Sequence, residues 1–175
     1  PMSSKIIFIV GLMGSGKTSV GKILAKKIGR QFFDTDQEII RNENLNISQI
    51  FDKHGENYFR ELEYKVLTKL KNNTESIIST GGGIVLKKEN IDIMTDNGII
   101  VFLNIDVKTQ ITRIKNKKNR PLLDSNNLKD DLKNMKNGRD KIYESIADYI
   151  VDVSETTKYK VIESIQMYLN EKNII

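Results

Sequence analysis

The feature that most constrains this chain is a glycine-rich loop between a predicted strand and a predicted helix. The apolar run "KIIFIV" (residues 5–10) leads directly into "GLMGSGKT" (Gly11 to Thr18), and a helical pattern then begins. The loop matches G-x-x-x-x-G-K-[ST] at every fixed position, in the strand-to-helix setting that this pattern requires. A glycine-rich turn with an N-capping threonine is the structural alternative, but the complete match favours a phosphate-binding loop.

Each residue type in this loop suits a nucleotide triphosphate. The glycines allow successive backbone N–H groups to point at phosphate oxygens, aided by the partial positive charge at the N-terminus of the helix. Lys17 is expected to reach the β- and γ-phosphates, and the hydroxyl of Thr18 to ligate Mg²⁺. The predicted nucleotide-binding residues of the loop are Gly11, Gly14, Ser15, Gly16, Lys17 and Thr18.

Short apolar runs alternate with segments of helical period along the chain. The predicted strands are 5–10, 31–35, 76–79, 99–104 and 149–153. The first predicted helix ends at Gly29, a favourable C-cap residue, and the later ones are 56–71, 87–96, 106–115, 127–146 and 157–171. Almost continuously apolar strands suit a parallel sheet covered on both faces, and the alternation implies right-handed crossovers. The sequence therefore predicts a three-layer α/β/α sandwich with a five-stranded parallel sheet and ligands at the carboxyl ends of its strands.

Composition limits the classes of protein to consider. A chain of 175 residues suits one domain, 1–175, and no apolar run approaches the ~18 residues that would span a bilayer. Because no secretory signal is visible, we expect a soluble, cytoplasmic protein. The absence of cysteine excludes disulfides and thiolate metal sites. The net charge of +5 is compatible with small anionic ligands, nucleic acid or membrane surfaces, so charge alone does not choose between them.

Two further motifs follow the second and third predicted strands. Asp34 and Asp36 of "DTD" are predicted at a strand end, where residues two apart face the same way, so both carboxylates should point into one cleft. They could hold hydrated Mg²⁺, bind a polyol or take a proton from a hydroxyl, although aspartate is also a favoured N-cap. In "STGGGIV" the consecutive glycines Gly81 to Gly83 indicate that some group approaches this backbone too closely for side chains.

The segment from Ile50 to Val85, "IFDKHGENYFRELEYKVLTKLKNNTESIISTGGGIV", resembles the signature of the shikimate kinase family. The phosphate loop, "DTD", "RPLL" (120–123), and Arg139 followed by "IYESIAD" (142–148) extend the resemblance over nearly the whole chain. It implies a P-loop NTPase of the nucleoside monophosphate kinase type that transfers the γ-phosphoryl group of ATP to the 3-hydroxyl of shikimate, in aromatic amino acid biosynthesis. It also implies Mg²⁺ as the metal, and we expect a monomer that binds neither nucleic acid nor membranes.

The resemblance implies roles for individual residues. Arg60 and Arg139 match the arginines that hold the shikimate carboxylate, a group that a guanidinium fork binds bidentately. Asp36 matches the residue that binds the ring hydroxyls and acts as a base, and Asp34 matches the one that supports Mg²⁺. The glycine run matches the loop along which the substrate lies, with Gly82 donating its N–H.

Other matches concern the helical subregion at about 36–71, which the resemblance identifies as substrate-binding. Glu63 lies three residues after Arg60 and is expected to brace its guanidinium. Phe51 and Phe59 correspond to apolar walls of the substrate pocket, although phenylalanines at such positions are more often core residues.

The polar, basic segment at about 115–127 is predicted to form a mobile lid. Within it Arg120 corresponds to an arginine that reaches the phosphates, and Arg113, shortly before it, to one that packs over adenine. Without the resemblance, the segment would be interpreted as an exposed basic loop or a weak nucleic-acid patch. The predicted catalytic residues are Lys17, Asp36 and Arg120.

Departures from the family pattern are few. Asn44 stands where glycine is frequent, and Lys141 where proline is frequent, while the single histidine, His54, matches no catalytic position and is interpreted as a surface residue. Two alternatives remain: a related kinase for gluconate or a nucleoside monophosphate, or a nucleotide-dependent switch or RNA-binding module. The second is disfavoured because neither an N-K-x-D element nor an aromatic RNA-binding strand motif is present.

Overall fold

Five short parallel strands form a single sheet at the centre of the fold. The computed structural model describes residues 5–116 and 127–175. Its strands are β1 (Ile6–Val10), β2 (Phe32–Asp34), β3 (Ile77–Ser79), β4 (Gly98–Asn104) and β5 (Tyr149–Asp152), in the order β2-β3-β1-β4-β5. The strands β1 and β3 are completely buried, as expected for apolar strands covered on both faces. The predicted five-stranded parallel sheet is confirmed.

Helices cover both faces of the sheet. They are α1 (Lys17–Ile28), α2 (Thr35–Glu43), α3 (Ile47–His54), α4 (Glu56–Leu70), α5 (Lys88–Asn97), α6 (Val107–Lys115), α7 (Leu128–Ile146) and α8 (Lys158–Glu171), with a short 3₁₀ turn at Ile84–Leu86. The helix α1 packs against α8, whereas α5 and α7 pack against β4. The sandwich and the periodicity-based helices are as predicted. The helices α2 and α3, which the periodicity did not identify, fall within the helical subregion expected at about 36–71.

The strand order creates a crevice beside β1. From β1 the chain passes to β2, at one edge of the sheet. From β3 it later passes beyond β1 to β4, toward the opposite edge. Right-handed crossovers place the two connecting segments on opposite faces, so the loops that follow β1 and β3 diverge. These loops are the glycine-rich "GLMGSGKT" and "TGGG" segments, and the fold therefore sets the two motifs side by side.

The departures noted in the sequence are accommodated locally. Asn44 ends α2 with a φ of 54°, the left-handed conformation that asparagine tolerates better than most residues. A capping box then starts α3, since Asn46 accepts from Gln49 N at 2.8 Å and Gln49 Oε1 accepts from Asn46 N at 2.9 Å. The helix α7 continues through Lys141, and His54 is exposed as predicted.

Candidate active site

The loop after β1 forms a cradle whose backbone requires glycine. The φ angles are 147° at Gly11, 82° at Gly14 and 91° at Gly16, values that residues with a side chain rarely adopt. A Cβ at Gly11 would also lie 2.6 Å from the carbonyl oxygen of Leu103. Gly16 is the N-cap of α1, so the positive end of that helix opens into the cradle, the arrangement that binds phosphate in many proteins.

The first residues of α1 place an ammonium group and a hydroxyl beside the cradle, and the hydroxyl contacts a carboxylate at the end of β2. Lys17 Nζ donates to the carbonyl of Gly11 at 2.7 Å and to that of Leu12 at 3.1 Å. The Thr18 hydroxyl donates to Asp34 Oδ2 at 2.6 Å. A hydroxyl and a carboxylate in direct contact are suitable oxygen donors for Mg²⁺.

Two side chains from α6 hold the outer side of the cradle. Gln110 Nε2 donates to the carbonyl of Met13 at 2.9 Å. Arg113 donates to the carbonyl of Gly14 and to that of Val153, each at 3.0 Å. Gln110 is fully buried and was not identified from the sequence, where it reads as an ordinary polar helical residue. Its position one turn before Arg113, on the same face of α6, is the signal that could have found it.

The spacing of Asp34 and Asp36 predicted that both lie at the end of one strand, but the structure places only Asp34 there. The strand β2 ends at Asp34, which is the N-cap of α2 and accepts from Gln37 N at 3.2 Å, so Asp36 lies in the first turn of that helix. The capping hydrogen bond explains why the strand ends earlier than expected. Both carboxylates still reach the site, because Asp34 contacts Thr18 and a Cβ on Gly81 would lie 2.7 Å from Asp36 Oδ1.

The glycine turn after β3 is packed against charged side chains. A Cβ on Gly83 would overlap the guanidinium of Arg60, and one on Gly82 would lie 3.3 Å from Arg139 Nη1. A Cβ on Gly81 would lie 3.0 Å from Glu63 Oε2. None of the three glycines has a positive φ, so close packing rather than backbone conformation explains them. The predicted close approach therefore includes groups of the protein itself.

Arg60 and Glu63 form the predicted pair within α4. Arg60 Nη1 donates to Glu63 Oε1 at 2.6 Å, and its Nη2 reaches Glu56 at 3.3 Å. Glu63 is fully buried, and this burial raises the pKa of its carboxyl group although the charge of Arg60 opposes the rise. Arg60 Nε and Glu63 Oε2 are buried without a hydrogen-bond partner in the described part of the chain. Such unpaired polar atoms are expected where a polar ligand binds.

Tyr143 joins α7 to the same turn. Its side chain is fully buried, its ring centroid lies 4.9 Å from that of Phe102, and its hydroxyl donates to the carbonyl of Gly82. Burial raises the pKa of Tyr143 to about 12. The sequence placed Tyr143 in a family motif but gave it no role. The available signal was its position one helical turn after Arg139.

Of the two predicted pocket-wall phenylalanines, Phe59 belongs to the main hydrophobic core and Phe51 is partly buried and packs against it. The rings of Phe51 and Phe59 lie 4.9 Å apart between centroids. Phe59 is almost completely buried, and Arg60 Cζ lies 5.3 Å from the centroid of its ring. Phe59 thus supports the guanidinium of Arg60 from the core side.

The phosphate cradle and the charged turn adjoin each other. A Cβ on Gly82 would lie 3.6 Å from the carbonyl oxygen of Gly11 and 3.8 Å from the backbone nitrogen of Met13. Groups that suit a phosphate donor and groups that suit an anionic, hydroxylated acceptor therefore border the same crevice. Residues 117–126 lie outside the described part of the chain, and with them Arg120 and most of the predicted lid.

The chain is similar to known shikimate kinases over nearly its whole length. A protein-family model described as shikimate kinase matches residues 13–170. The chain is 38% identical over 171 residues to the shikimate kinase of Pelotomaculum thermopropionicum, covering 98% of this chain and 99% of the relative. It is 39% identical over 167 residues to that of Buchnera aphidicola subsp. Schizaphis graminum, covering 95% and 96%. The solved structure of the shikimate kinase from Acinetobacter baumannii in complex with shikimate superimposes with a TM-score of 0.92, at 34% identity, covering 99% and 97%.

Proposed function

The chain belongs to the shikimate kinase family, and we propose that it transfers the γ-phosphoryl group of ATP to the 3-hydroxyl of shikimate, giving shikimate 3-phosphate and ADP. This product belongs to the biosynthesis of aromatic amino acids. The observation that carries the proposal is the proximity of the two halves of the site: a Cβ on Gly82 of the charged turn would lie 3.6 Å from the carbonyl oxygen of Gly11 in the phosphate cradle.

The cradle and α1 hold the phosphate donor. The backbone N–H groups of the loop and the N-terminus of α1 bind the phosphates, and Lys17 moves from its loop carbonyls to the β- and γ-phosphates. Arg113 lies beside the cradle, bound to the Gly14 carbonyl, where it would border the nucleotide. Phosphoryl transfer requires placement and charge neutralisation more than covalent chemistry, and these groups supply both for the donor.

The charged turn and its neighbours hold the acceptor. Arg60, whose buried Nε has no hydrogen-bond partner among the described residues, and Arg139, beside Gly82, are suited to the carboxylate of shikimate. Asp36, beside Gly81, accepts a hydrogen bond from the attacking hydroxyl, which orients the oxygen and favours the loss of its proton. The acceptor is then held next to the γ-phosphate, since the turn adjoins the cradle.

We further propose that Mg²⁺ accompanies the nucleotide and is held by Thr18 and Asp34. Their contact at 2.6 Å provides a hydroxyl and a carboxylate at one place. Among residues 5–116 and 127–175 no group of three His, Asp or Glu side chains could hold a metal ion. Mg²⁺ in kinases is commonly bound through one or two protein groups together with phosphates and waters, and it neutralises phosphate charge.

We also propose that the enzyme acts as a cytoplasmic monomer without nucleic-acid or membrane partners. None of the helices described here is both long enough and apolar enough to cross a membrane. Sedimentation as a species of 20.0 kDa would support the monomer, and a heavier species would contradict it.

An assay of ADP release with different acceptors tests the proposed reaction. Purified protein with Mg-ATP would be supplied in turn with shikimate, gluconate and AMP. We expect ADP release above the background ATPase rate with shikimate alone. Release with gluconate or AMP but not with shikimate would overturn the proposal in favour of a related kinase, and no response to any acceptor would favour a switch or RNA-binding module.

A conservative substitution with a matched control tests the acceptor site. Arg139→Lys keeps the positive charge but loses the bidentate fork, so kcat/KM for shikimate should fall about tenfold or more while the KM for ATP is little changed. Lys141→Ala changes an exposed residue of the same helix and should behave as the wild type. Equal kinetics for the two variants would remove Arg139 from the site.

A further inference from the structure

The glycine turn has few side chains of its own to fix its conformation, so its backbone hydrogen bonds determine its shape. The N–H of Gly81 donates to Thr35 Oγ1 at 2.9 Å. The carbonyls of Gly81 and Gly83 each accept a backbone N–H of the following 3₁₀ turn at 3.1 Å. The carbonyl of Gly82 is different, because a side chain from another helix binds it: the hydroxyl of Tyr143.

Two donors of the turn remain for a ligand. Within residues 5–116 and 127–175, the N–H groups of Gly82 and Gly83 have no hydrogen-bond acceptor. The carbonyl of Gly82 and the N–H of Gly83 belong to the same planar peptide group. When Tyr143 holds that carbonyl, it fixes the orientation of the peptide and limits the rotation of the neighbouring one.

Tyr143 is itself held rigidly. It is fully buried, and its ring packs against Phe102 of the central strand β4. Its high pKa keeps the hydroxyl protonated, and therefore able to donate, throughout the neutral range. The helix α7 also carries Arg139 one turn earlier, and that guanidinium lies beside Gly82 and interacts with the hydroxyl of Tyr143. One helix thus presents both a group suited to the acceptor carboxylate and the group that holds the adjacent backbone.

We propose that Tyr143 is a positioning residue for the acceptor, which acts by holding the carbonyl of Gly82. With the carbonyl held, the glycine N–H groups and the guanidinium of Arg139 keep one fixed arrangement toward the acceptor. The inference rests on the proposed function, because it assigns the turn to shikimate. It goes beyond that function because it assigns Tyr143, which binds the carbonyl of Gly82, a part in acceptor affinity.

Tyr143→Phe tests this role because it removes the hydroxyl and keeps the ring. Without the hydroxyl that holds the Gly82 carbonyl, the turn should adopt other conformations, so the KM and the calorimetric Kd for shikimate should rise about tenfold. The KM for ATP should stay within about twofold of the wild type, since the cradle has its own supports in Lys17, Gln110 and Arg113. If Tyr143→Phe did not fold, Tyr143→Met, which also lacks the hydroxyl, would be measured in the same way.

Tyr149→Phe is the matched control. Tyr149 also has a hydroxyl hydrogen bond, to Ser164, and its ring stacks on Tyr168 at 4.5 Å, at the β5 edge of the sheet. This variant should lower the Tm and leave both KM values unchanged. A Tyr143→Phe enzyme with a lower Tm but an unchanged KM for shikimate would overturn the inference. Wild-type protein that is inactive with shikimate would instead overturn the proposed function, so the two failures are distinguishable.

Discussion

Adding one methyl group at Gly83 should remove the guanidinium of Arg60 from the site. A Cβ at Gly83 would overlap Arg60 Nη1 and lie only 2.6 Å from Cζ and Nη2. These atoms form the far end of a long side chain whose exposed fraction is 18%, so the guanidinium can turn toward solvent more easily than the buried backbone can move. Gly83→Ala should therefore displace the guanidinium of Arg60 toward solvent.

The size of the effect follows from the contact that is lost. A charge-assisted hydrogen bond to a carboxylate contributes about 1.5 to 3 kcal/mol, roughly ten- to 150-fold in kcat/KM for shikimate. Arg60→Ala should lose the same contact and show a similar effect. In the Arg60→Ala background the new methyl group meets no guanidinium, so Gly83→Ala should then add little. The double-mutant cycle should give a coupling free energy of about 1.5 to 3 kcal/mol.

The assay is steady-state ADP release with shikimate varied at saturating Mg-ATP, for the wild type, both single variants and the double variant. Gly138→Ala is the matched glycine control, since Gly138 lies exposed in α7 and no atom of the described residues lies within 4 Å of an added Cβ. It should keep wild-type kinetics and gain up to about 1 kcal/mol in unfolding free energy. Arg41→Ala is the matched arginine control, because Arg41 pairs with Glu38 at 2.9 Å but is mostly exposed.

Losses that multiply in the double variant would refute the reasoning, because the methyl group would then act by some route other than Arg60. An unchanged KM and kcat in Gly83→Ala would refute it equally. Thermal unfolding of each variant separates a displaced side chain from a misfolded protein.

Three further predictions concern other groups of the site. Gln110→Met removes a donor to the cradle and should raise the KM for ATP about fivefold to tenfold with the KM for shikimate unchanged; a rise in the latter alone would contradict it. Thr18→Ala removes a proposed metal ligand, so half-maximal activity should need more Mg²⁺ than in the wild type, measured by magnesium titration at fixed ATP. Glu63→Gln mimics the protonated side chain. Since burial raises the pKa of Glu63, the wild type loses the stability contributed by its neutral carboxyl group as pH rises, whereas glutamine does not titrate. The Tm of the variant relative to the wild type should therefore increase between pH 4 and pH 8. A relative Tm that falls over this range would indicate that ionisation stabilises the fold.

The sheet and the long helices were predictable because their signals are local. The strand β1 consists of five buried apolar residues, and α1 ends at Gly29 in the left-handed conformation. The helices α2 and α3 gave weak signals because they are short and bury few residues, in α3 only Ile50. The predicted end of β2 was wrong because the capping interaction at Asp34 starts α2 where the strand pattern predicted continued strand.

The site was predictable to the extent that its residues lie in contiguous motifs. The cradle is one such motif, and its glycines are required by its own backbone angles. The roles of Gln110 and Tyr143 could not be read from such motifs, although each lies one helical turn from a predicted site arginine, because they act on backbone groups 97 and 61 positions away in sequence. Only the packing of α6 and α7 brings them there, and a single sequence carries no direct record of such contacts.

The supports of the two loops come from different parts of the chain, and this separation has a consequence for how such an enzyme can change. Helices α1 and α6 secure the phosphate cradle, whereas α2, α4 and α7 supply the groups around the glycine turn. Exchanging the side chains of α4 and α7 for ones that suit another alcohol would leave Lys17, Gln110 and Arg113 in place at the nucleotide end. A designer or natural selection can thus redirect the phosphate to new recipients without rebuilding the part that carries it.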